Sequence, residues 1–121
     1  MKIFLLLGSV FGGLSVAAGA FGAHALKGKL EPRLFEVFET AAQYQMYHAL
    51  ALLAVAWLVG ETQSQAATVA GWSFVAGILL FSGSLYTMAF TGIRMLGAIT
   101  PIGGVAFIVG WICLLLVAIN K

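Results

Sequence analysis

Apolar residues arrive in four long runs, each separated from the next by a short polar stretch. The runs cover about residues 3–25, 41–59, 67–90 and 101–119. Each approaches the ~20 residues that a helix needs to cross the hydrocarbon of a bilayer. The turns between them fall at residues 26–31, 61–65 and 91–100. Pro32 is well placed as the first residue of a helix, and nothing from there to Gly60 breaks helical character. The first turns of that stretch mix Leu34, Phe35, Val37 and Phe38 with Arg33, Glu36 and Glu39, as a segment lying in the headgroup region would. The pattern leaves open whether residues 32–60 make one long helix or two with a bend. Thr100-Pro101 reads as an N-cap followed by proline at the first helical position of the last span. The expected fold is therefore all-α, an integral membrane four-helix bundle forming a single transmembrane domain over residues 1–121, with an interfacial helical segment leading into the second span.

Small residues sharpen this picture. Gly8, Gly12, Ser15, Gly19 and Gly22 recur at steps of four and three, so they share one stripe of the first helix. Such stripes let a neighbouring backbone approach closely. Gly103, Ala106, Gly110 and Cys113 form a second stripe on the fourth span, and Ser73, Gly77 and Ser84 share a face of the third. The first run invites a signal-peptide reading as well, since Lys2 is basic and Ala23-His24-Ala25 has the form of a cleavage site. Signal h-regions are ~7–15 residues long, however, and this run is longer, which favours an uncleaved span.

Composition agrees. The chain of 121 residues is 62% hydrophobic and 8% charged, with mean hydropathy +1.06. Soluble domains are ~45–50% apolar and about 25% charged, and charges this sparse cannot cover a globule in water. The expected partner is the lipid bilayer; a net charge of +2, dispersed, does not suggest nucleic acid. The single Cys113 rules out an intramolecular disulfide. Lys27, Lys29, Arg33 and Arg94 fall on one side of the membrane, and Lys2 and Lys121 on the other. Counting positive charges places both termini outside the cytoplasm.

Residues 24–48 hold both histidines, three of the four acids and three of the six Lys/Arg, so chemistry is sought there first. On the second span Thr40, Gln43, Tyr44, Tyr47 and His48 lie within about 140° of one another at ~100° per residue. Glu36 continues that face and Glu39 lies at its margin. Polar groups face lipid only at a cost, so this face is expected to look into the protein or a wet cavity. Read functionally, it is a proton-handling or ligand-binding patch centred on His48. Read structurally, it is interhelical hydrogen bonding, and the lack of any acid deeper than Glu39 favours that account. His24 and His48 differ in depth by ~12 Å, and two histidines without cysteine or intramembrane carboxylate are too few for zinc. No metal and no cofactor is expected; His24 suits a helix C-terminus. Together with Glu36, Glu39 and Arg94 it marks a candidate interfacial site. Arg94 suits a topology determinant better than a substrate-binding cation. Ser82-Gly83-Ser84 and the glycines around Pro101 suit close packing better than an unwound substrate site. No phosphate-cradling loop, nucleophile elbow or HExxH occurs, so catalysis finds no foothold.

Four separated words are recognisable: GAFGAH at residues 19–24, YQMYHALAL at 44–52, FSGSLY at 81–86 and LGAITPIGG at 96–104, followed by Gly110-Trp111. In this the chain resembles the YwdK/YgdD-type family of small bacterial membrane proteins, an uncharacterised family, along essentially its whole length. The resemblance implies a four-span protein of the inner membrane and an uncleaved first span; it brings no activity, cofactor or catalytic residue. The function expected is structural or accessory, through helix contacts within a homo-oligomer or with a membrane-protein partner. The alternative is a small oligomeric transporter or channel using the polar face of the second span.

Overall fold

A computed structural model describes residues 2–120; Lys121, one of the charges weighed for orientation, lies outside them. The helices are α1 (Lys2–Phe21), α2 (Pro32–Thr62), α3 (Gln65–Gly77), α4 (Gly83–Thr91) and α5 (Thr100–Ile119). A widened turn of π type, Gly22–Leu26, carries α1 onward, and a second, Ile78–Ser82, joins α3 to α4, so that five segments make four rods. Residues 32–62 form one unbroken helix, which decides between one helix and two.

Local chemistry sets the ends. α2 begins at Pro32, whose missing N–H would have had no helical partner anyway. It ends at Gln63, which takes a left-handed φ of 52° and lets the chain reverse. The Ser64 hydroxyl then accepts the Ala66 N–H at 3.1 Å and starts α3. Gly92, at φ 72°, closes α4 in the conformation glycine adopts without strain. Thr100 is not the N-cap that the sequence suggests. It lies inside the first turn of α5, and its hydroxyl sits 2.6 Å from that of Ser84 instead.

The rods run alternately up and down. Gly8 meets Leu53 and the Ala49 carbonyl of α2, and Gly22 meets Phe38, so the glycine stripe of α1 lies against α2 as expected. Gly19 is the exception, with open space where a side chain would stand. On the far side, Gly77 takes the ring of Phe107, Gly110 takes that of Phe74, and the Phe81 backbone packs on Gly103. The second stripe is thus the contact surface of α5 with α3 and the turn that follows it.

Lys2–Leu26, Gln65–Thr91 and Arg94–Ile119 are each long and apolar enough to cross a membrane. α2 is longer than any of them, ~46 Å at 1.5 Å per residue, but Gln43, Gln45 and His48 dilute its apolar run. Its surroundings compensate. Ten of its residues are buried, against three on α1 and four on α5; with the α3–α4 rod, which buries eleven, α2 supplies most of the interior. Around it the main core gathers Phe4, Leu52, Val55, Phe74 and Phe107.

Candidate functional site

Alanine decides which side of α2 is buried. Ala41, Ala42, Ala49, Ala51 and Ala56 are all buried and let neighbouring helices come close. At ~100° per residue, Gln45 and His48 both lie near the middle of this alanine-lined arc. The two polar residues of α2 that are buried are therefore Gln45, at 5% exposure, and His48, at 4%.

This corrects the expectation that Thr40, Gln43, Tyr44, Tyr47 and His48 all point inward. His48 does. Thr40 is half-buried, and Gln43, Tyr44 and Tyr47 are exposed. Their arc and the alanine arc overlap over Tyr44 and His48, of which His48 alone is buried, and close approach of backbones outweighs the pull of polar side chains toward the interior. The interfacial set is also dispersed: His24, Glu36, Glu39 and Arg94 are all exposed. The ion pair among the described residues is instead the loose, exposed Arg33–Glu31 contact at 3.8 Å.

His48 is held from every side. Its Nδ1–H donates to the Tyr44 carbonyl oxygen at 2.7 Å, since a carbonyl can only accept. Its Nε2 accepts the indole N–H of Trp111 on α5 at 3.1 Å. A bare Nε2 beside an indole donor and a protonated Nδ1 beside a carbonyl define one neutral tautomer. The ring stacks on Phe107, with centroids 3.6 Å apart and planes 7° from parallel, and meets Phe74 at 5.4 Å. Tyr44 covers the remaining side and leans on Phe81 at 4.8 Å. The histidine thus ties α2 to α5 within an aromatic cage.

Gln45 ties three rods. Its Nε2 donates to the Phe11 carbonyl of α1 at 2.8 Å, and its Oε1 accepts the Tyr86 hydroxyl of α4 at 2.8 Å. Ser15 of α1 donates to the Ala42 carbonyl at 2.6 Å, and Ser82 donates to the Ala41 carbonyl at 2.8 Å. The π turn matters here, because the extra residue it holds shifts the register at Ser82 and Ser84, and both are buried. Ser82-Gly83-Ser84 is therefore a packed, widened helix, not an unwound segment. Every buried side-chain nitrogen and oxygen among the described residues has a partner.

Sequence reasoning passed over Gln45, Tyr86 and Trp111. Gln45 was within reach, because it shares its face with Ala41, Ala49 and Ala56, and small residues mark where helices touch. Tyr86 and Trp111 carry no local signal; their roles come from tertiary contacts.

Rods of this length and apolarity, fastened by paired polar side chains, define an all-helical protein of the membrane class. A family model described as "Protein of unknown function (DUF423)" matches residues 18–104. The chain is 50% identical over 121 residues to UPF0382 membrane protein YwdK of Bacillus subtilis, covering 99% of this chain and 98% of that one. It is 49% identical over 120 residues to UPF0382 membrane protein SERP0230 of Staphylococcus epidermidis, covering 99% and 98%. With UPF0382 membrane protein SAB0533 of Staphylococcus aureus it shares 51% over 116 residues, 96% and 94% of the two chains. The chain belongs to this DUF423/UPF0382 family, as its four sequence words implied. No solved structure matches it significantly.

Proposed function

We propose that this is a multi-pass protein of the bacterial plasma membrane, with all four rods crossing the bilayer, that acts as a structural or accessory component through helix contacts. One observation carries the reading. Gln43, Tyr44 and Tyr47 are exposed on the middle turns of α2, where hydrocarbon would leave their donors and acceptors unmet. Tyr47 is 53% exposed, and Trp111 of α5 is exposed close by, across the His48 cage. A second membrane-embedded surface, from another copy or another protein, satisfies such a strip. Each buried polar side chain already has a partner within the bundle, which fits fastening better than turnover. The rival reading, an oligomeric transporter or channel, rests on the same strip and would require it to line water.

The test places a photo-crosslinking amino acid at Tyr47, with lipid-facing Ile108 of α5 as reference, in intact cells. A protein adduct of defined mass from position 47 and only lipid adducts from 108 is expected. Equal, purely lipid labelling at both positions would overturn the proposal. Labelling of Tyr47→Cys by a small water-soluble thiol reagent, in a Cys113→Ala background, would favour the transporter.

The fold puts Lys27, Lys29, Arg33 and Arg94 at one end, and that end is assigned to the cytoplasm. Glu31→Cys should then resist an impermeant thiol reagent that labels Glu61→Cys; the reverse pattern inverts the orientation.

A further inference from the structure

On the Gln45 side of α2, α1 and α4 do not close against each other. Between them lies a cavity of about 400 Å³ with α2 as its floor. That volume is within the ~300–1,000 Å³ of small-molecule sites. Its walls are apolar: Phe11 and Leu14 from α1, Leu79 from the π turn and Phe90 from α4 are typical. Leu14, Leu79 and Phe90 are each more than half exposed, so the cavity opens sideways to what surrounds the rods. From Leu79 to Phe90 it runs ~16 Å along the helix axis.

The floor differs from the walls. Gln45 and Tyr86 line it, hydrogen-bonded to each other, and Gln45 is 5% exposed. A primary amide offers two N–H donors and two acceptor positions. Phe11 takes one donor and Tyr86 fills one acceptor. One amide N–H and one lone pair therefore have no partner among the described residues, as does the accepting side of the Tyr86 oxygen. A buried amide half-used at the base of an apolar cavity is a recognition element for a polar atom carried on an apolar body.

Depth narrows the ligand. Gln45 lies ~20 Å along α2 from Pro32, and the Phe11 carbonyl it holds is ~14 Å from Lys2 and ~23 Å from Leu26, near the middle of that apolar rod. A phospholipid keeps its ester and headgroup at the surface of a hydrocarbon layer ~30 Å thick, beyond the reach of this amide. An uncharged ring lipid can carry its oxygens deeper. We propose that the groove between α1 and α4 binds a lipid of the isoprenoid quinone class, a carbonyl oxygen accepting the free N–H of Gln45 and the tail leaving past Leu14 and Leu79. No electron transfer is implied. The site rests on α2 crossing the bilayer and not on any helix partner, so a failed cross-link at Tyr47 leaves it standing.

Gly83 provides a clean test. It lies in the groove wall, and a side chain built there meets no protein atom within 4 Å. Gly83→Leu should fill the cavity without disturbing the core. The full-length chain in phospholipid nanodiscs is titrated with decylubiquinone, and with methyl oleate as the acyl-ester comparison, and thermal stability is followed. A saturable rise in Tm with decylubiquinone alone is expected. Gly83→Leu should abolish that rise while melting normally without ligand. Gln45→Met, which keeps the volume and loses the donor, should weaken binding about three- to tenfold, as loss of one hydrogen bond does. An equal response to methyl oleate would show a groove that takes any acyl chain and would overturn the assignment. Undiminished binding in Gly83→Leu would place the ligand elsewhere and do the same.

Discussion

Gln45 and His48 stand one turn apart on α2 and are almost equally buried, at 5% and 4% exposure, yet they are differently employed. The imidazole has two polar positions, both taken, and one of its faces lies against Phe107. The amide has four, of which two are taken, and one side of it faces an open groove. Burial alone does not separate a fastener from a recognition element. The count of unused donors and acceptors, and the space beside them, does. On the His48 side α5 closes ring upon glycine, whereas on the Gln45 side α1 and α4 stay apart above an apolar cleft.

The largest expected effect breaks the closed side. At Gly103 an added methyl would overlap the Phe81 backbone, which cannot swing away as a side chain could. Gly103→Ala should cost ~3 kcal/mol, the upper range for overpacking. It should also lift Phe107 and Trp111 from His48 while leaving the Gln45–Tyr86 bond in place; thermal melting and Trp111 fluorescence report the two parts. By contrast Gly12→Ala, whose new methyl would meet Ala49 at an ordinary 3.8 Å, should melt nearly as wild type.

His48→Leu comes next. It removes both hydrogen bonds and leaves the Trp111 N–H without a partner, at ~2 kcal/mol. His48→Gln keeps a donor and an acceptor and should recover more than half of that loss. Equal melting of the two variants would show that the cage holds the ring by stacking alone. Gln45→Met should cost the least, ~1 kcal/mol, in keeping with interhelical hydrogen bonds in membrane proteins. A larger penalty there than at His48 would reverse the comparison and make Gln45 the principal fastener.

Much of this architecture was legible in the residues. Four apolar runs, Pro32 and the glycine stripes suffice for four rods and for two of their contact surfaces, because run length and small-residue spacing are local properties. The π turn at Ile78–Ser82 was not legible, since Ile-Leu-Leu-Phe-Ser continues an ordinary helical pattern and the widening serves contacts of Ser82 and Ser84 with other rods. The buried face of α2 was misjudged for a related reason. Grouping the polar residues found the strip of Gln43, Tyr44 and Tyr47, while grouping the alanines would have found the interior and Gln45 with it. The groove arises from how far α1 stands from α4, a distance no single segment encodes.

The state of the His48 ring tests most directly whether this histidine is a fastener. Histidine labelled with nitrogen-15, in a His24→Gln background so that one ring contributes, can be observed by solid-state NMR in bilayers at pH 7. The structure predicts a proton on Nδ1, a bare Nε2 coupled to the Trp111 indole proton, and loss of that coupling alone in Trp111→Phe. A proton on Nε2, with or without one on Nδ1, would mean that the indole cannot donate there, and would contradict the closed cage on which the structural reading of α2 depends.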